Sequence, residues 1–162
     1  MQRLLIFTLI FFALQSEAQN PRKMKKEIVR AFIESKKNNG LAGRWYICND
    51  DSSYFKKAAF KVYNHADYLY DPQKCCHFME WKFYNRSHFR LAINHICQEP
   101  GIKHVSGDNY YKVKFRIKDD VLFLITKDYY GRKKRFLVAQ FEEEMLWNKI
   151  HTSKVMTLKR TF

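Results

Sequence analysis

The chain has 162 residues, a formal net charge of +14, 46% apolar and 17% aromatic residues. That is enough for one core, and it leaves no second domain and no low-complexity linker. Only five glycines are present, too few to suggest a glycine-rich phosphate loop.

Residues 1–18 read as a secretory signal peptide. Arg3 precedes the apolar run 4–14, and Ser16 and Ala18 place small residues at the cleavage positions. The run is far shorter than the ~20 residues of a membrane span. Cleavage after Ala18 predicts export to the periplasm or the exterior and a mature chain of about 140 residues. Export permits disulfides, and the four cysteines, Cys48, Cys75, Cys76 and Cys97, predict two of them.

Residues 19–40 predict one amphipathic helix packed on a domain that spans 41–162. Asn20 suits the cap and Pro21 the first helical position. Met24, Ile28, Val29, Phe32 and Ile33 recur at helical spacing. Lys36, Lys37 and Gly40 are the stop signals. The opposite face is rich in lysine. A helix lying on a membrane has that look, but a single helix beside a large sheet is expected to pack on it.

From Gly43-Arg44-Trp45 onward the chain reads as strand. Predicted strands cover 45–49, 54–63, 75–84, 89–97, 110–117, 121–126, 136–141, 145–150 and 155–160, with turns at Asn85-Arg86-Ser87-His88, Asp119-Asp120 and Glu142-Glu143-Glu144. Short strands with polar turns predict a mainly β fold, an antiparallel up-and-down barrel. Asn85-Arg86-Ser87 is also a glycosylation sequon, without meaning in a bacterial source.

One hairpin predicts its own register. With Phe83 opposite Phe89, Trp81 opposite Leu91, Met79 opposite Ile93 and His77 opposite His95, one face is apolar apart from the histidines. The other face pairs Lys82 with Arg90 and Glu80 with Ala92. A one-residue slip mixes the faces. Met79, Trp81, Phe83, Leu91 and Ile93 are therefore expected to point inward.

The same register sets Cys75 opposite Cys97, above His77 and His95, with Cβ atoms ~5 Å apart across the strands. Two readings stay open. Two thiols and two imidazoles can form a tetrahedral zinc site from Cys75, His77, His95 and Cys97. In an exported chain a Cys75–Cys97 disulfide takes precedence, with Cys48 then pairing with Cys76. No spacing supports a metal or haem role for His65, His88, His104 or His151.

No catalytic motif is present: no G-x-S-x-G, no H-E-x-x-H, no nucleophile–base pair. The carboxylate clusters fall in predicted turns. The charge is spread over Arg22-Lys23, Lys25-Lys26, Lys36-Lys37, Lys56-Lys57 and Arg132-Lys133-Lys134-Arg135. It reads as a solvated cationic exterior, attracted to anionic surfaces, with no specific nucleic-acid recognition. Tyr110-Tyr111-Lys112 mixes aromatic and basic residues, but strand alternation accounts for it.

An N-terminal helix, Gly43-Arg44-Trp45, a run of paired strands and a terminal Thr157-Leu158-Lys159-Arg160 together resemble the lipocalin-like proteins of the calycin type, in particular small domains exported by bacteria. The likeness covers residues 21–162, with Lys127-Asp128-Tyr129-Tyr130 a loose echo of the family's second motif. It implies structural roles for Gly43, Trp45 and Arg160: Trp45 closes the barrel floor and Arg160 stacks on it. It also implies a small hydrophobic ligand inside the barrel, against Met79, Trp81, Phe83, Leu91, Ile93 and Phe115, bound by a monomer without cofactor or catalysis. The alternative is a barrel filled by those side chains and by Trp147, in a secreted cationic protein that binds an acidic partner or envelope surface.

Overall fold

The structure, a computed structural model, describes residues 19–34, 43–50, 54, 56–64, 75–95, 97, 102–145 and 152–161. The predicted signal peptide, Lys36, Lys37, Gly40, Trp147, His65 and His151 lie outside the described residues.

Helix α1 (Pro21–Glu34) starts as its sequence predicts. The Asn20 side-chain oxygen accepts hydrogen bonds from the amides of Arg22 and Lys23, at 3.0 and 3.3 Å, which satisfies two of the free donors of the first turn. Met24, Ile28, Ala31 and Phe32 are buried, and Val29 and Ile33 are half-buried. Arg22, Lys25, Lys26 and Arg30 stay exposed.

Nine strands follow among the described residues: β1 (Arg44–Cys48), β2 (Ala59–Tyr63), β3 (His77–Asn85), β4 (His88–His95), β5 (Ile102–His104), β6 (Tyr110–Lys118), β7 (Val121–Lys127), β8 (Lys133–Met145) and β9 (Thr152–Arg160). All pair antiparallel. Eight of them close into a barrel, in the order β3-β1-β2-β9-β8-β7-β6-β4 and back to β3. Such a closed antiparallel barrel is consistent with a calycin-like fold. β5 pairs only with β4 and adds to the wall where β6 has diverged.

The strand order departs from a pure meander at one place. β1 sits between β2 and β3, so β2 meets β9 and never β3. β2 and β3 run in the same direction on either side of β1. Outside the wall there, Tyr46, Cys75 and Phe78 form a second small buried cluster, with Cys48 packed against it.

The β3–β4 register is the one the alternating faces dictate: His77 opposite His95, Met79 opposite Ile93, Trp81 opposite Leu91 and Phe83 opposite Phe89. Asp119 and Asp120 make the β6–β7 turn with φ of 51° and 55°. Two consecutive left-handed residues are what a two-residue hairpin needs, and aspartate tolerates that region.

Glu142-Glu143-Glu144 is not a turn. β8 runs straight through it, with Glu143 opposite Lys154 and Glu144 opposite Ser153. Glu144 also forms an ion pair with Lys61. Cations on the adjacent β9 and on β2 beyond it make three successive carboxylates tolerable in a wall.

The cysteine pairing differs from the expected one. Cys48 bonds to Cys75 and Cys76 to Cys97. The ladder stops at His77, and the chain bends at Cys76, where the amides of Cys76 and His77 both donate to one Asp50 carboxylate oxygen at 2.6 Å. The two-residue alternation that would set Cys75 opposite Cys97 therefore ends before it reaches them. β1, placed beside β3, brings Cys48 to Cys75 instead. With all four sulfurs in disulfides, the zinc alternative of Cys75, His77, His95 and Cys97 is excluded.

Candidate functional site

The expected ligand-binding residues are brought together in one core. Met79, Trp81, Phe83, Leu91 and Phe115 are all buried in one core, and Ile93 packs against it. At one rim Phe32 of α1 enters the barrel. Its ring stacks on Phe83 at 3.9 Å and meets Trp45 edge-on at 5.4 Å. Gly43 allows this closeness: its φ is +72°, and a Cβ there would lie 2.7 Å from the Phe83 carbonyl oxygen. Gly43 and Trp45 thus lie at the rim that Phe32 enters.

Arg160 does not stack on Trp45. β1 and β9 run in the same direction, so the start of one and the end of the other lie at opposite rims. The Arg160 guanidinium instead lies 5.2–5.3 Å from the ring centres of Tyr54, Phe60 and Phe136. It also donates to the carbonyls of Lys57, at 2.9 Å, and Tyr54. Arg160 therefore stoppers the second rim. A space of about 10 Å³ lies between Tyr54, Trp81, Tyr111 and Phe136. That is roughly the room of one water molecule.

Burial pushes the Tyr54 phenol well above the usual tyrosine range, and the neighbouring Arg160 opposes this only in part. The folded state then holds a proton that the unfolded chain releases near pH ~10. The stability Tyr54 contributes is complete below that pH and is lost as pH rises beyond it. Denaturant melts across pH 8 to 12 should show this alkaline decline, and Tyr54→Phe should flatten it. An unchanged decline in Tyr54→Phe would assign it to other groups.

A concave space of ligand size lies outside the barrel. It is a groove of about 810 Å³ between α1 and the turn-bearing rim. Val29, Ile33 and Ile117 give it an apolar floor. Arg22, Lys25, Lys26 and Arg30 of the helix, with Arg86 of the β3–β4 turn, give it five cations. On the other flank of α1, a smaller groove of about 460 Å³ carries Glu27, Glu142 and Glu143 beside Arg30 and Lys154. The helix thus separates a cationic groove from one of mixed charge. The sequence alone marks the lysine-rich helix face, but Arg86 and Ile117 come from distant segments that only the barrel brings to it.

The outer face of β6 carries a second concentration of charge, with Lys112, Lys114, Arg116 and Lys118 all exposed. No helix of the described residues is long and apolar enough to cross a membrane. Comparison of the chain with protein-family models, with curated proteins and with solved structures returns no match.

Proposed function

We propose that this chain is an exported, lipocalin-like binding protein whose ligand site is the cationic groove outside the barrel rather than the interior. The ligand class is a single-chain anionic amphiphile, such as a long-chain carboxylate. The observation that carries this reading is the pairing of an apolar floor with five cations around a groove of ligand size. An amphiphile would lay its chain on Val29, Ile33 and Ile117 and direct its head group to the guanidinium and ammonium groups, an arrangement that gives both affinity and orientation. The packed interior favours an outside site over the barrel. Two disulfides fit an oxidising compartment, and export is proposed on that ground and on the leader-like N-terminus. The protein is read as a monomeric binder without a catalytic role.

The exposed cations of β6 favour a second reading, in which the whole basic exterior holds an anionic surface without a defined pocket. One experiment separates the two. A fluorescent long-chain fatty acid is titrated into the wild-type chain, into Lys25→Glu/Lys26→Glu and into Lys112→Glu/Lys114→Glu. Both variants change the net charge equally. The groove predicts at least a ~10-fold loss in the first, from about 1 kcal/mol per displaced cation, and little change in the second. Equal losses would favour the diffuse surface, and no saturable binding by the wild type would remove the groove reading altogether.

A further inference from the structure

We propose that His77, His95 and His104 form a binding site for a divalent late transition-metal ion, with Zn²⁺ the simplest occupant. The three imidazoles lie on one face of the wall at the rim away from α1. His77 is opposite His95 across β3 and β4, and His104 of β5 is opposite Ile93, two residues before His95. Partners across a ladder, and residues two apart along a strand, share a face.

The rings lie near enough to reach a shared ion once they turn. The rings of His77 and His95 are 4.3 Å apart and nearly perpendicular, and those of His95 and His104 are 6.1 Å apart and also perpendicular. Imidazoles bound to one tetrahedral ion at Zn–N of ~2.0–2.1 Å have ring centres about 5 Å apart. The two spacings to His95 bracket that value, and the rings have to turn to bring their nitrogens onto one ion. His104 is exposed and can swing towards its neighbours at little cost. Three imidazoles with an open fourth position for water are an established donor set for zinc, and imidazole equally suits Cu²⁺ and Ni²⁺.

The backbone beneath the three rings is held at several points. The Cys76–Cys97 disulfide flanks His77 and His95. The amide of His77 donates to Asp50. β5 is pinned beside β4 by Lys103, whose ammonium lies 2.6 Å from the buried Glu80 carboxylate on the opposite face. A short strand that the closed ring does not need thereby fixes the third imidazole. As they stand the three imidazoles do not converge: among the described residues the one group whose donor atoms all lie within 4.8 Å of one another is Cys48, Asp50 and Cys75, which has both sulfurs in a disulfide and so offers only a carboxylate.

The test uses the full chain with both disulfides formed and Zn²⁺ alone as titrant, followed by calorimetry. One ion per chain is expected. Changing an outer partner of a metal ligand costs ~10–100-fold in affinity, and losing a ligand costs no less. His95→Gln and His104→Gln should each lose at least that much. His88→Gln should bind as the wild type does, because His88 lies at the opposite rim, bonded to the Asn85 and Ser87 side chains. Electron paramagnetic resonance of the Cu²⁺-loaded wild type provides a readout free of folding effects, and three coordinating nitrogens are expected. Absence of saturable Zn²⁺ uptake, a His104→Gln variant that titrates like the wild type, or a copper spectrum with fewer than three nitrogens would overturn the site.

Discussion

Phe32→Ala is expected to cost about 3–5 kcal/mol of folding stability, the usual price of deleting a buried phenyl ring. Phe32 is 1% exposed, and its ring touches Phe83 and Trp45, with Phe115 at 6.0 Å. These neighbours belong to β1, β3 and β6. The rigid wall cannot collapse on the vacancy, so a cavity term adds to the lost transfer energy. A domain of this size has about 5–15 kcal/mol in total, so the variant should unfold at a much lower urea concentration. A change below about 1 kcal/mol would mean that α1 is an appendage and not the closing element of the barrel.

The second large effect concerns the disulfides. Removing the Cys48–Cys75 bridge by the double change Cys48→Ser/Cys75→Ser should cost about 3 kcal/mol, given the 27-residue separation of the two cysteines. The pairing itself is tested by Cys48→Ser alone. The thiol it frees should be alkylated at Cys75, and peptide fragmentation between residues 75 and 76 locates the label. A label on Cys76 would instead restore the pairing expected from the β3–β4 alternation.

Those cysteines show where local reasoning ends. The β3–β4 register was legible because Trp81, Phe83, Leu91 and their partners alternate cleanly with charged residues, so a slip would bury lysine. The helix cap at Asn20 and the Asp119-Asp120 turn were legible because each depends on a few adjacent residues. The disulfides depend on which strand lies beside β3, and nothing local says that it is β1. The reading of Glu142-Glu143-Glu144 as a turn failed for the same reason: Lys61 and Lys154, which make those carboxylates tolerable in a strand, are remote or on a different strand. Arg160 kept the cation–π role the family resemblance implies but found other rings, because strand direction places Trp45 at the far rim. Of the candidate sites, the apolar wall was visible in the sequence, whereas the groove needed Arg86 and Ile117 to meet α1. His104 needed β5, a three-residue strand too short to stand out.

The place of β1 also bears on how the chain folds. The segment from β3 to β9 is a succession of neighbouring hairpins, with β5 as a side branch, and each pairing closes a short stretch of chain. β1 and β2 join it only through β3 and β9, and the β2–β9 ladder links residues near 60 to residues near 158. Contacts so distant along the chain form slowly. Until the N-terminal pair wedges in, the curved sheet has two bare edges, β3 and β9, each able to capture a strand from another molecule. The first two strands thus act as the chain's own seal against self-association, and slow insertion would be the stage at which this protein is most prone to aggregate.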